Sequence, residues 1–225
     1  MIFTQDGEQR KASEWTFQKY DVFGRIIMKG LHVMTGKTHD QLRTIVENEV
    51  VSERYILNSH WSYSWNSLTT LLTSTNYKQV FQVNYYDNYD FRNRPEYINT
   101  QFSFVNKGAE YNKRYGTDTG ITEAKGQLTG TAIARLDGQN KFDYSVLYYD
   151  NRGRLIQTRA TSHLEGGIDE EYIAYNFTGQ PTKKLHIHSA TGKNTQKEEY
   201  AYTYDHAGRL LKTTHQLTDG STVKP

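Results

Sequence analysis

Tyr149-Asp150-Asn151-Arg152-Gly153-Arg154-Leu155-Ile156 decides the fold, because the same order of residue types returns elsewhere in the chain. It recurs as Tyr204-Asp205-His206-Ala207-Gly208-Arg209-Leu210-Leu211 and stands upstream as Tyr20-Asp21-Val22-Phe23-Gly24-Arg25-Ile26-Ile27. A softer copy, Tyr175-Asn176-Phe177-Thr178-Gly179-Gln180, keeps the tyrosine and the glycine. The last three copies begin 26 and 29 residues apart, and the first lies 129 residues upstream of the next, behind a long non-repetitive insert. Self-similarity on this scale is the mark of a repeat architecture.

Each copy reads as a β-hairpin. An alternating strand runs into Tyr-Asp, two loosely specified residues follow, and a glycine sits where the chain needs a positive φ before a second apolar strand. The aspartate can accept backbone N–H groups two residues on, which favours the turn locally. Tyr200, Tyr202 and Tyr204 alternate along the incoming strand and so share a face. Arg209, just past its glycine, can fold over a neighbouring ring. A single hairpin is marginal in water, so the units must pair edge to edge.

Composition agrees with half-buried strands. The 225 residues include 18 Tyr but only 3 Pro, and mean hydropathy is −0.82. Tyrosine packs its ring on a pleated surface while its hydroxyl stays wet. With 27 Lys plus Arg against 25 Asp plus Glu, the net charge of +2 gives no electrostatic footprint for nucleic acid. The absence of cysteine excludes a disulfide framework and a thiolate metal site. No apolar run approaches the ~20 residues of a membrane span, and the first thirty residues lack a signal-peptide core. An exported natural protein would therefore carry its signal outside this chain.

The insert reads differently. From Thr38 to about Arg54, Leu42, Ile45, Val46 and Val50 fall three and four apart, and Thr38 with Gln41 has capping-box spacing, which predicts a helix of about four turns starting near His39. Trp61 through Leu72 reads as a second short helix or a covering loop. Strands are expected at Lys78 to Tyr86, Gly130 to Leu136 and Lys141 to Tyr149, and a long, mobile loop at Val105 to Gly130. The expected fold is mainly β: an array of antiparallel β-hairpin repeats forming an open curved sheet, with one helical insert. Residues 1–34 make the first hairpin, 35–77 the insert, and 78–225 a repeat region forming one β domain with 1–34.

The tyrosine–aspartate–two residues–glycine–arginine–leucine signature resembles the YD repeat of Rhs-type proteins, which include bacterial polymorphic toxins, insecticidal toxin complexes and animal teneurins. The closest likeness is to the Rhs-like proteins of Bacteroidetes, carried by Trp15 to Asp21, by Tyr85 to Phe91, by Leu128 to Thr131, and by Tyr148 to His163. The resemblance implies a non-catalytic scaffold or interaction segment of a larger exported protein, at the cell surface or outside the cell. It also implies further YD repeats of the same or another chain as partners, edge-to-edge self-association, and no cofactor. This chain holds too few repeats to close a shell and no Asp-Pro dipeptide, so self-cleavage and toxicity are not carried over.

Other chemistry was weighed residue by residue. His186 and His188 share a strand face but lack a third metal ligand placed by spacing. Asp87 to Asp90 reads as a turn held by side-chain hydrogen bonds rather than a calcium loop. Glu165, Asp169, Glu170 and Glu171 beside Gly166-Gly167 read as a polar hairpin loop, and neither Ser59-His60 nor Ser162-His163 lies in a nucleophile elbow. Trp61, Tyr63 and Trp65 read first as rings that cover the helix and sheet core, since large aromatics are normally buried. They are also the candidate ligand surface: on a strand they would present a flat aromatic face to sugar rings or another protein, making a carbohydrate-binding or adhesion module the alternative function.

A β-branched residue does not fit a left-handed turn position. Gly153→Val is therefore expected to cost more than ~1 kcal/mol, read as a lower Tm; an unchanged melt would refute the turn assignment.

Overall fold

Among the described residues, twelve antiparallel strands follow one another across a single open sheet in the order of the sequence. The computed structural model describes residues 1–48, 52–57, 59–65, 72–73, 76–97, 100–111, 124–139 and 141–224. The strands are β1 (Ile2–Thr4), β2 (Glu14–Tyr20), β3 (Ile26–Val33), β4 (Gln79–Asp87), β5 (Ala124–Ala134) and β6 (Phe142–Tyr149). They continue as β7 (Leu155–Thr161), β8 (Ile168–Tyr175), β9 (Pro181–Ser189), β10 (Gln196–Tyr204), β11 (Leu210–Asp219) and β12 (Thr222–Lys224). Among the described residues two α-helices, α1 (Gly7–Lys11) and α2 (His39–Glu47), interrupt the β pattern. The chain divides into two compact units, 1–85 with 131–142, and 86–130 with 143–225.

In the first unit, β2 alternates strictly and buries Trp15, Phe17 and Lys19. A lysine in a core row needs a partner, and it has one: Lys19 Nζ lies 2.6 Å from Glu53 Oε1, with the two side chains 1% and 0% exposed. Ser64 Oγ donates to the other oxygen of Glu53 at 2.6 Å, and the ammonium sits 4.4 Å from the centre of the Trp65 ring. Burial holds Lys19 below the ordinary lysine range, against the opposing pull of Glu53. The Glu53 N–H donates to the Tyr20 carbonyl at 2.8 Å, so the ion pair and the backbone together fasten this segment to the end of the first hairpin.

Helix α2 starts as its capping box dictates: Gln41 N–H donates to Thr38 Oγ1, and Thr38 N–H to Gln41 Oε1. Leu42 packs with Trp15, Met34 and Phe3. The helix is shorter than its periodicity predicts, ending at Glu47 with Asn48 as cap. Residues 49–51 lie outside the described residues, and Glu53 is in a parallel bridge with Asp21, a geometry that a helix to Arg54 would forbid. Helix α1, capped by Asp6 and Gln9, is a second helix that the apolar pattern did not signal, because none of its residues is buried.

In the second unit, register explains composition. Antiparallel pairing places Tyr148, Gln157, Tyr172, Leu185, Glu199 and Gln216 in one row across β6 to β11. The row is buried as far as Leu185 and exposed from Glu199 onward. Its buried part lies under residues 89–97 and 101–111. Tyr89 stacks on Tyr148 at 5.0 Å and donates its hydroxyl to the Leu147 carbonyl, Tyr148 donates to the Phe102 carbonyl at 2.6 Å, and Val105 and Tyr111 pack on the Tyr172, Leu185 and Ile187 cluster. Apart from Gln157, the row is thus apolar or aromatic where the insert covers it and polar where it does not. The expected loop from Val105 to Gly130 is corrected at both ends. Residues 105–111 lie on the sheet, Ala124 to Gly130 belong to β5, and 112–123 lie outside the described residues.

Removing one partner of a buried ion pair leaves an uncompensated charge. Glu53→Gln is therefore expected to destabilise the chain by roughly 3–5 kcal/mol in chemical denaturation. Lys19→Met combined with Glu53→Leu is expected to cost clearly less; equal costs would show that the charge is not what matters.

Candidate functional site

The repeated turns are built identically. Asp21 Oδ1 accepts from the N–H groups of Phe23 and Arg25, each at 2.9 Å, while Asp21 Oδ2 accepts from Arg25 Nε at 2.6 Å. Asp150 does the same with Arg152 and Arg154, and Asp205 with Ala207 and Arg209. Backbone bonds close each turn: the Asp N–H donates to the Arg carbonyl and the Gly N–H to the Asp carbonyl. Gly24, Gly153, Gly179 and Gly208 adopt φ of 76°, 72°, 92° and 81°, the left-handed region. A register shift at Tyr20, Tyr149, Tyr175 and Tyr204 marks a β-bulge at the same place in each hairpin.

The third copy shows what the pattern requires. Asn176 offers one acceptor and one donor group, so its partner must supply an acceptor, which arginine lacks. Gln180 supplies it: Gln180 N–H donates to Asn176 Oδ1 and Asn176 Nδ2 donates to Gln180 Oε1, both at 2.9 Å. The acid-to-amide and arginine-to-glutamine changes are one coupled substitution.

Neighbouring repeats are joined by two further contacts. Tyr175 donates its hydroxyl to the Leu155 carbonyl at 2.9 Å and Tyr204 to the Pro181 carbonyl at 2.9 Å, so each tyrosine reaches the first residue of the strand that opens the preceding repeat's second half. In the other direction, the Arg154 guanidinium lies 4.7 Å from the Tyr175 ring and donates to the Asn176 carbonyl, and Gln180 Nε2 donates to the Gly208 carbonyl at 2.6 Å.

The same seam reveals a repeat that sequence comparison passed over. Tyr149 donates to the Leu128 carbonyl at 2.6 Å, and the Gln127 carboxamide lies against Gly153 as that of Gln180 lies against Gly208. Gly126, at φ 81°, donates its N–H to Asp87 Oδ1 at 2.7 Å. Tyr86-Asp87 and Gly126-Gln127-Leu128 are therefore the two halves of one turn, parted by residues 88–125. The signal was in the sequence as Tyr-Asp and Gly-Gln-Leu, but the 38 intervening residues hid it.

Electrostatics follow from these bonds. Burial would raise the Asp150 carboxyl, but the Arg154 N–H and guanidinium outweigh it and hold it below the usual range. The Arg209 N–H and guanidinium do the same for Asp205. Burial pushes Tyr149 up to about 12, so its hydroxyl stays a donor. Both aspartates are depressed, so the stability their turns contribute is present above the unfolded value of about 4 and is lost as pH falls through the folded one.

The remaining candidates are placed as follows. Trp61 and Tyr63 are 7% and 4% exposed. Trp61 occupies a 3-10 turn at φ 57° with its ring 4.9 Å from Phe142, and Tyr63 stacks on Tyr85. Trp65 is half-buried, stacked on Tyr77 with Nε1 bonded to the His60 carbonyl. The three rings do not form a flat strand face. Asp169 lies between His188 Nδ1 at 2.6 Å and His186 Nε2 at 3.6 Å, yet no group of three His, Cys, Asp or Glu suited to a metal ion occurs among the described residues. Glu170 pairs with Arg159 and Glu171 with Lys184, on opposite faces of β8. Asn88 Oδ1 accepts the Asp90 N–H in a tight turn, and Ser59 Oγ is directed to the Ile56 and Tyr63 carbonyls. The chain matches no protein-family model and no curated protein.

A double-mutant cycle tests the turn. Asn176→Asp and Gln180→Arg are each expected to destabilise singly. Together they should recover most of that loss, with a coupling of about 1–2 kcal/mol, and should add acid sensitivity below about pH 4. Additive losses would refute the pairing.

Proposed function

We propose that the chain is a non-catalytic scaffold or interaction segment of the YD-repeat, Rhs-type kind, belonging to a larger exported protein and working at or beyond the cell surface. The observation that carries this reading is the seam. Tyrosine-to-carbonyl bonds and arginine or glutamine contacts join successive turns in the same way at 149–155, 175–181 and 204–210. The polar side chains of these turns are spent on holding backbone, with aspartates on N–H groups and tyrosines on carbonyls, which is the economy of a wall rather than of a reaction centre. Nearest-neighbour contact of this sort lets an array grow by repetition.

Tyr175→Phe and Tyr204→Phe, each removing one inter-repeat hydrogen bond, are expected to lose roughly 0.5–1.5 kcal/mol and to weaken hydrogen-exchange protection in the flanking strands. The intact chain is expected to give no saturable signal on a glycan array. Unchanged stability in both variants would refute the seam, and a glycan signal abolished by Trp61→Ala with Trp65→Ala would replace the scaffold with an adhesion module.

A further inference from the structure

Two arginines of one turn are seated on the turn that follows, and the next seam lacks both. Arg154 lies 4.7 Å from the centre of the Tyr175 ring and donates to the Asn176 carbonyl at 3.1 Å. Arg152 lies 4.7 Å from the centre of the Phe177 ring and donates to the Phe177 carbonyl. One repeat later the same two positions hold Gln180 and Thr178, and Tyr204, Asp205 and His206 stand where Tyr175, Asn176 and Phe177 stood. Neither replacement reaches as far. The Thr178 hydroxyl turns back to Asn176 Oδ1 and Gln180 Oε1, and the Gln180 carboxamide stops at the Gly208 carbonyl. What remains is a cleft of about 660 Å³ lined by Thr178, Gln180, Tyr202, Tyr204, Asp205 and His206. It lies between two complete turns, 175–180 and 204–209.

The groups that hold the arginines in the earlier seam are unmet in this one. Among the described residues the His206 carbonyl accepts no hydrogen bond, the Asp205 carbonyl accepts only the Gly208 N–H, and no cation lies over the half-buried Tyr204 ring. A glutamine does not by itself open a seam, because Gln127 also stands at the arginine position and the ring beside it, Tyr149, is only 8% exposed. The Asp205 carboxylate is already held by its own turn and by Arg209, so recognition falls to a ring face and backbone carbonyls. Those partners suit a flat guanidinium, which stacks and donates in its plane, better than a compact ammonium. We propose that this cleft is a binding site for arginine side chains of another polypeptide, spaced Arg-x-Arg as Arg152 and Arg154 are. One guanidinium lies over the Tyr204 ring and donates to the Asp205 carbonyl, and the other donates to the His206 carbonyl. Side chains alone enter, without strand pairing. The site goes beyond the scaffold reading and does not depend on it, since the same cleft is open in a wall and in an adhesion module alike.

The test titrates the isotope-labelled full chain with the capped tripeptide acetyl-Arg-Gly-Arg-amide and follows backbone amide shifts by NMR. Saturable shifts centred on residues 204–208 are expected, with a Kd in the millimolar range. The citrulline counterpart, equal in shape but uncharged, should bind roughly tenfold more weakly, and the lysine counterpart more weakly than the arginine peptide. Thr178→Arg, at an exposed turn position, should weaken binding several-fold by itself. Asn176→Asp, Thr178→Arg and Gln180→Arg together copy the preceding turn, and this variant should abolish binding by seating the chain's own guanidinium groups in the cleft. No saturable shifts, equal binding by the citrulline peptide, or undiminished binding by both Thr178→Arg and the copied turn would overturn the proposal.

Discussion

A carboxylate that holds two of the next four residues of its own chain is the constraint on which the rest depends. Asp150 takes the N–H groups of Arg152 and Arg154 on one oxygen and the Arg154 guanidinium on the other, which fixes the left-handed glycine between them and the bulge at Tyr149. Once the bulge is fixed, so is the direction of the tyrosine, and with it the carbonyl of the preceding repeat that its hydroxyl reaches. The turn is a local device, and the seam is its long-range consequence. The Asn176 and Gln180 pair supports this order of cause. It abandons the charges but keeps the bond from the backbone N–H four residues on and a side-chain bond between the same two positions, and the seam survives on both sides of it.

Stability is distributed unevenly along the sheet, and the insert sets the gradient. Where residues 89–97 and 101–111 lie on the strands, the facing row is Tyr148, Gln157, Tyr172 and Leu185, with the Gln157 carboxamide turned to the backbone of Val105. Beyond β9 the row becomes Glu199 and Gln216, and the sheet is held by its ladder, its turns and ring contacts such as Tyr200 on His215 at 4.4 Å. Strands with few buried apolar contacts open more readily than those in a core. The uncovered strands are thus the ones expected to open first, and the covered ones to persist.

What was legible in the sequence was what the chain decides within about ten residues. Alternation gave the strands, Tyr-Asp-x-x-Gly gave the turns, and Thr38 with Gln41 gave the start of α2. What was hidden depends on distant partners. Lys19 in a core row reads as an error of alternation until Glu53, 34 residues away, neutralises it. Size alone puts the Trp61 and Tyr63 rings in a core, but nothing local shows that Phe142 and Tyr85 are what lies against them. Helix α2 was overdrawn because apolar spacing continues to Val50, whereas Glu53 must be extended to reach the Tyr20 carbonyl.

The divided turn at Asp87 and Gly126 shows how far such an array can be interrupted. Lengthening a closed loop from two residues to the 38 of segment 88–125 costs only roughly 2–3 kcal/mol, because closure entropy grows with the logarithm of length. Ordering the described part of the insert costs much more. That cost is offset by its own contacts: Phe91, Tyr97 and Phe102 are fully buried, and Gly130 has no Cβ because the Phe91 ring lies where one would stand. Each such side chain contributes roughly 1.5–3 kcal/mol on burial. A turn whose ends are held by their own bonds, Asp87 to Gly126 on one side and Leu128 to Tyr149 on the other, does not need its two central residues to be neighbours in sequence. The insert is then free to serve as the cover that the next strands need, and this is why a stretch as aromatic as Tyr89 to Phe104 lies inside a hairpin turn rather than between two repeats.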